Sequence, residues 1–406
     1  MTSTSNLRVL VAGGGVAGVE ALLALHDLAA DRIELTLLAA SDDFVYRPMA
    51  VAEPFALGHA RRHPLQDICR DAGAAFVRGT VARVDDANRA VVTVEGDRHS
   101  YDALLIAVGA RTERGLERGL TWRPEGDPEL FGGLLRDIEE GYSKRIAFVV
   151  PDEVAWPLPA YELALMTANE ASGMSRDDVD VVVVTPEHAP LDIFGEEASS
   201  DVAKLLDESG VRVELDAHAR AEPGQGGAAT RLVLGAHRAI DVDRVVAMPR
   251  AVGPGIEGVA TDARGFIVAD RHGVVDGTER VWAAGDGIAF PIKQGGLAAQ
   301  QADAAAEAIA ALAGADVEPK PFHPVLRGML LTGGGRRWMR HDIAGAGDEA
   351  ASGVQALWWP PTKIAGKYLS PYLAARDEAA TSGEAPAVPN GHAVELDLHH
   401  EVRGGR

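Results

Sequence analysis

Residues 7–18 read Leu7-Arg-Val-Leu-Val-Ala12-Gly13-Gly-Gly15-Val-Ala-Gly18, an almost wholly apolar run that meets a glycine-rich turn. The run alternates little, as expected of a strand buried on both faces of a parallel sheet. From Val16 to about Leu28, the residues Val19, Leu22, Leu23, Leu25 and Leu28 share one helical side, so the glycines lie in a strand-to-helix turn. In that setting Gly13 permits the tight turn, Gly15 lets the backbone approach a pyrophosphate, and Gly18 lets the helix pack close to the strand. Val16 and Ala17 open the helix, where free N–H groups and the positive dipole end face the anion. The next strand, Ile33–Leu38, should end at an acid that binds a nucleotide ribose. It ends in Ala39-Ala40-Ser41-Asp42-Asp43. Either Ser41 or Asp42 does that work less directly, or both cap a turn.

At roughly 150 residues per domain, a chain of 406 residues should hold more than one domain and at least one substantial core. Residues of the AVILMFWYC class make up 47% and charged residues 24%, the balance of a soluble globular protein, which rules out overall disorder. A net charge of −21 repels nucleic-acid phosphates and anionic headgroups, so no nucleic-acid role is expected. Cys69 is the sole cysteine, which excludes an intrachain disulfide, a Cys-x-x-Cys pair and a multi-cysteine zinc site. No metal site is predicted. The N-terminal apolar stretch, interrupted by Glu20, has the glycine content of a nucleotide loop rather than of a secretion signal, and a cytoplasmic protein is expected. No uninterrupted apolar run is long enough for a bilayer-spanning helix, although peripheral membrane contact stays open.

Two more segments are expected to reach the same ligand. Tyr101–Ala110 is a buried strand ending in the small residues Ala107, Val108 and Gly109. Val281-Trp-Ala-Ala-Gly285-Asp286 is a third apolar strand, followed by Lys293-Gln-Gly-Gly and an Ala-rich helix over 297–312. With these motifs in this order, the chain resembles the two-dinucleotide-binding-domain FAD flavoproteins of the pyridine nucleotide-disulfide oxidoreductase superfamily. The resemblance points to the branch of type II NADH dehydrogenases, sulfide:quinone reductases and flavocytochrome c sulfide dehydrogenases. It covers about residues 7–320. It implies FAD, with Asp286 accepting a hydrogen bond from the ribityl chain. Gly295, Gly296 and Leu297 would then present N–H groups to the flavin pyrimidine carbonyl, where a helix N-terminus stabilises charge on the reduced ring. Arg47 and Pro48, in Phe44-Val-Tyr46-Arg47-Pro48, match the family's loop beside the isoalloxazine, and Val81 matches the backbone that meets adenine.

A second β–α–β unit runs from Arg145–Val150 through a helix beginning near Pro159 to a strand over Asp178–Thr185. Laying Glu162 on Glu20 places Ala155, Pro157 and Ala160 on Gly13, Gly15 and Gly18. Proline offers no N–H, and alanine sets a Cβ where a pyrophosphate must approach, so a nicotinamide dinucleotide should bind poorly. By the resemblance Glu162 lies near the flavin's reactive face, where burial fits it for proton transfer; the plainer reading is a glutamate that caps its own helix. Trp156 and Tyr161 either wall a flat aromatic substrate or belong to the core.

Residues 321–376 hold an excess of basic side chains together with Trp338, Trp358, Trp359, Tyr368 and Tyr372. Three readings stay open: contact with an anionic membrane surface, a pocket over the flavin lined by Trp358, Trp359 and Lys363, or packing against the FAD domain and a twin subunit. Prolines 360, 361 and 371 favour pocket or homodimer over a long interfacial helix. Leu331–Arg336 is read as a hairpin turn, and the tail from about Asp377, with His399-His400, as disordered.

The expected class is therefore α/β, with two Rossmann-like three-layer domains and a C-terminal α+β cap. Residues 1–112 and 270–320 form the FAD domain, 113–269 the second domain, 321–380 the cap and 381–406 the tail. The expected function is an FAD-dependent oxidoreductase passing electrons from a small-molecule donor to an acceptor such as a quinone. Glu162, Lys293, Trp358 and Lys363 are the candidate catalytic residues. The rivals are an NAD(P)H-dependent quinone or ferredoxin reductase, a sulfide:quinone reductase-like enzyme using a persulfide on Cys69, and a non-catalytic flavin-bound electron-transfer or scaffold protein.

Overall fold

The computed structural model describes residues 6–126, 128–224, 227–344, 350–382 and 394–395. Seven helices are described: α1 (Val16–Ala29), α2 (Leu65–Asp71), α3 (Pro128–Glu139), α4 (Leu158–Gly173), α5 (Glu196–Glu208), α6 (Gly295–Leu312) and α7 (Leu369–Ser382). The apolar run at the N-terminus is the central strand Leu7–Ala12 of a parallel sheet whose order is 281–283, 103–106, 7–12, 33–39 and 75–78. Its side chains from Val9 to Ala12 are all buried, as the lack of alternation requires. Small residues let α1 and α6 pack tightly side by side: Ala17, Ala21 and Ala24 meet a face containing Ala298, Ala302 and Ala305.

A second parallel sheet runs in the order 120–121, 244–247, 145–149, 180–184 and 211–214, with a three-stranded meander (220–223, 230–233, 239–242) at its side. Between the two domains the chain passes along Arg111–Glu113 and returns along Arg250–Val252, which pair antiparallel. Residues 253–269, assigned above to the second domain, join the first: Ile256 and Ile267 share a core with Leu104 and Val281, and Val84 N–H donates to Glu257 O. Local composition could not reveal this, because the contacts are made by a loop returning to the first sheet.

The cap begins with the antiparallel sheet 325–331, 336–342 and 350–353. Its hairpin at 332–335 matches the expected turn. The sheet packs on the second domain through Leu326, Leu330 and Met339. The following stretch crosses to the first, where Ile364, Tyr368, Leu369 and Tyr372 enter the core beside α1. Residues 377–382, expected to be disordered, continue α7. Within the tail, Val394–Glu395 pair antiparallel with Trp358–Trp359. The rest of the tail, including His399 and His400, lies outside the described residues.

Candidate functional site

The three glycines of the first turn occupy the environments their spacing demands. Gly13 has φ +127°, and a Cβ there would collide with Ala107 O. A Cβ at Gly18 would collide with Gly13 O, so only glycine lets α1 start this close to the strand. Gly15, the N-cap of α1, has nothing within 4 Å of where a Cβ would point and no side-chain cap. That open cradle beneath the N–H groups of Val16, Ala17 and Gly18 fits the diphosphate of a dinucleotide. The other two segments converge on it. Ala107 N–H donates to Ala12 O (2.7 Å). Gly109 has φ +74° and open space, and Gly285 (φ +84°) packs on Ala17. The Gly285 N–H donates to Gln301 Oε1 (2.8 Å), a bond the sequence reading missed; its signal was a glutamine on the Ala-rich face of α6.

Other expected ligand contacts differ. Ser41 Oγ accepts from Asp43 N–H (3.2 Å) and Asp42 pairs with Arg78, so both are engaged in the turn itself. The Leu297 N–H, expected to face a flavin carbonyl, is taken by the side chain of the N-cap residue Gln294 (2.9 Å). Gln294 is in turn held by Arg327 O (3.0 Å), leaving Gly295 and Gly296 at the helix start. Arg47 forms an exposed ion pair with Glu125 (3.1 Å). Val81 opens a strand opposite Thr93.

Burial raises the Asp286 carboxyl above the usual carboxylate range, with Lys293 and then Arg47 opposing the rise. Burial pushes the Lys293 ammonium down to about 8, against the attraction of Asp286 and Asp262. Its Nζ donates to Ile288 O and lies 3.9 Å from the centroid of the Phe266 ring.

Glu162 and Lys363, 201 positions apart in sequence, meet in a buried ion pair with Nζ 2.5 Å from Oε1. The Leu331 N–H also donates to Glu162 Oε1 (2.9 Å), and Lys363 Nζ donates to Pro48 O (3.2 Å). One ion pair thus ties α4, the cap and the turn at Arg47–Phe55. Burial raises the Glu162 carboxyl and lowers the Lys363 ammonium, each opposed by the charge of the other. The helix-cap alternative for Glu162 does not hold, since its carboxylate reaches across to the cap rather than to its own N-terminus.

The second turn is built differently. Residues 150–157 separate strand from helix, against 13–15 in the first domain, and Pro157 is the N-cap where Gly15 stands in the other. Pro157 and Pro159 have no N–H, and the Ala160 N–H donates to Pro157 O (3.0 Å). The Lys293 N–H donates to Ala155 O (3.2 Å), so the loop of the first domain covers this turn. Trp156 packs edge-on against Phe194 (5.9 Å). Tyr161 is fully buried, its hydroxyl donating to Glu187 Oε2 (2.6 Å), which also accepts from Thr185 (2.7 Å). Tyr161 thus belongs to the core, while Trp156 is half-buried against it.

Trp358 belongs to the core as well. Its ring meets Trp338 edge to face at 4.6 Å, and its Nε1–H donates to Thr362 O (2.9 Å). This corrects the expectation that it lines a pocket: its volume fills the junction between the cap sheet and the crossing strand. Of the five Trp and Tyr residues of the cap, Trp359 alone is exposed, at 57%. Cys69 is buried in α2, and burial pushes its thiol up to about 11. Among the described residues no cluster of metal-ligating side chains occurs, and no helix is long and apolar enough to cross a membrane.

A sequence profile of the pyridine nucleotide-disulphide oxidoreductase family matches residues 4–129 and 160–308, interrupted across the second turn. The chain is similar to the ferredoxin–NAD(+) reductase component of the biphenyl dioxygenase system of Paraburkholderia xenovorans, at 31% identity over 225 residues, 53% of this chain and 50% of that protein. It is also similar to an NADH dehydrogenase-like protein of Mycobacterium tuberculosis, at 35% identity over 120 residues, 28% of this chain and 29% of that protein. The chain thus spans about half the length, or less, of these curated relatives. Among solved structures, the sulfide:quinone oxidoreductase of Aquifex aeolicus superposes with a TM-score of 0.74 at 20% identity, over 86% of this chain and 87% of that one. A ferredoxin reductase of Rhodopseudomonas palustris gives 0.63 at 19%, over 84% and 83%. At these identities the likeness is one of fold.

Proposed function

The chain belongs to the pyridine nucleotide-disulphide oxidoreductase family, and from that premise we propose that it is an FAD-dependent oxidoreductase whose electron donor is not a nicotinamide dinucleotide and whose acceptor is of the quinone class. The observation that carries this reading is the contrast between the two turns. The cradle at Gly15 is open beneath the first N–H groups of α1, whereas the turn at Pro157 lacks an N–H at residues 157 and 159, has its Ala160 N–H taken by Pro157 O, and is bonded through Ala155 O to the Lys293 loop.

In this reading the first turn would hold the FAD diphosphate, and Asp286 would hold the ribityl chain. Bound there, FAD supplies two-electron transfer between donor and acceptor. Glu162 and Lys363 hold a proton between Oε1 and Nζ. Passing it from nitrogen to oxygen converts an ion pair into two neutral groups, a change that buried surroundings make inexpensive. Pro48 O orients Lys363, and the cap excludes water from the pair. Lys293, lowered to about 8, supplies a charge beside Asp286 that pH can remove.

A sulfide-oxidising mechanism finds no support at Cys69, whose buried thiol stays protonated at neutral pH. The names of the curated relatives favour a second reading, an NAD(P)H-dependent reductase of ferredoxin or quinone. Anaerobic titration of the flavin-loaded protein separates the two. We expect oxidised quinones to restore the absorbance of flavin reduced beforehand with dithionite, while NADH and NADPH at micromolar concentrations do not bleach the oxidised flavin; rapid bleaching by either nicotinamide would favour the second reading.

A further inference from the structure

Glu20 lies on α1 where Glu162 lies on α4, and both carboxylates reach into the cap. Glu20 Oε1 accepts from the Tyr368 N–H and Oε2 from the Leu369 N–H, each at 2.8 Å, so this wholly buried side chain holds the start of α7. Gly366 lies beside it, where a Cβ would come within 2.5 Å of Oε2. The first turn of α7 is knitted to the residues before it. Ser370 Oγ donates to Ile364 O (2.5 Å) and accepts from the Gly366 N–H (2.9 Å), and Thr362 Oγ1 donates to the same Ile364 O (2.6 Å). Residues 362–370 thus form one strap with an anchor in each domain, Glu20 in the first and, through Lys363, Glu162 in the second.

Between and at its anchors the strap meets three segments far apart in sequence. The Ile364 N–H donates to the Tyr46 hydroxyl (2.9 Å), and Lys363 Nζ donates to Pro48 O (3.2 Å). The Ile364 side chain packs on Gly295 at the start of α6, its Cγ1 only 3.0 Å from where a Cβ would stand. The third contact is that of Lys363 with Glu162. The Tyr46–Pro48 loop, the start of α6 and Glu162 are the segments that the family resemblance sets beside the flavin ring, and one strap crosses all three. We propose that this strap closes the ring end of the FAD site, and that Glu20 is the positioning residue whose grip on α7 keeps it closed and slows FAD release. Glu20 acts through the strap, while the cradle at Gly15 serves the diphosphate end. Losing one hydrogen bond to a charged group shifts the opening equilibrium by about tenfold or more. Where release follows opening, the rate of FAD exchange rises by the same factor.

The retention claim rests on the FAD reading given above, and the test separates the two. Protein loaded with isotopically labelled FAD is chased with excess unlabelled FAD, and the label retained is followed with time. Glu20→Gln keeps one acceptor but turns an NH2 group towards an amide N–H; we expect exchange to quicken by about tenfold or more, and further still in Glu20→Ala, which removes both acceptors. Leu232→Ala serves as the control for lost stability, since its side chain is buried in a second-domain core that no strap residue enters. Its FAD exchange should stay within about twofold of the wild type. Hydrogen exchange at the Ile364, Tyr368 and Leu369 amides reads the strap without FAD, and protection should fall by about tenfold or more in Glu20→Gln. Unchanged FAD exchange or unchanged amide protection in Glu20→Gln, or an equal acceleration of FAD exchange in Leu232→Ala, would overturn the inference. Wild-type protein that takes up no FAD would overturn the cofactor reading and the retention claim with it, and reduced amide protection in Glu20→Gln would distinguish that failure from a failure of the anchor.

Discussion

Replacing Lys363 by methionine removes one half of the Glu162 ion pair while keeping most of the side-chain volume. Both partners are almost inaccessible, at 5% and 1% side-chain exposure, so neither charge can turn to solvent when the other is lost. Glu162 would keep the Leu331 N–H as a donor but lose the countercharge of Lys363. Breaking such a pair from one side costs about 3–5 kcal/mol. The cost depends on pH in a definite direction. Glu162 already has a raised carboxyl, and without Lys363 its folded-state value rises further. A group of this kind contributes stability that is present below the unfolded value of about 4.3 and lost as pH rises through the folded value. Lys363→Met should therefore be markedly less stable at pH 8 than at pH 5. The double variant Glu162→Gln/Lys363→Met, with no charge left to bury, should recover most of the loss. Urea denaturation of all four members of the cycle at both pH values measures this. A deficit below about 1 kcal/mol at pH 8, or a double variant no better than the single one, would show that the pair is not the buried, mutually dependent unit described here.

Gly15→Val should fold normally, since space is open at that Cβ, but purify without flavin, which absorbance at the flavin band reads directly. Gly18→Ala should instead lower the melting temperature, because the added methyl strikes Gly13 O. Lys293→Met should abolish any break near pH 8 in the pH profile of flavin reduction, because the charge present below that value is gone; a retained break assigns it to another group. Tyr161→Phe strips a donor from Glu187, whose carboxyl burial already pushes up to about 7, and should cost about 1–3 kcal/mol, more at pH 8 than at pH 6. Cys69→Ser should leave turnover unchanged, and the native thiol should resist aromatic disulfide reagents.

Much of the first domain was legible in the sequence because each signal is local. The strand run, the turn glycines and the helical side after Val16 lie within a short stretch, and glycine at positions 13 and 18 is required by backbone collisions that any similar turn repeats. The equivalence of Glu20 and Glu162 was also readable, since both are the fifth residue of their helices. What these glutamates bind was not. Lys363 and the Tyr368 and Leu369 amides come from the far end of the chain, and no spacing rule connects them to α1 or α4. Trp358 misled, and Tyr161 stayed open between pocket and core, for a related reason: an aromatic residue with a polar atom reads alike in both, and only its hydrogen-bond partner decides. Leu297 was assigned a free N–H because the preceding Gln294 gave no sign that its side chain folds back as a cap.

The account depends on one cradle that binds a dinucleotide diphosphate and one that does not. Calorimetric titration addresses this directly, with FAD added to the flavin-free protein and NADH or NADPH added to the flavin-loaded one. The account predicts FAD binding tighter than about 1 μM and no saturable heat from either nicotinamide up to about 1 mM. Saturable nicotinamide binding with a Kd below about 100 μM, lost on substitution in the 150–157 loop, would contradict it.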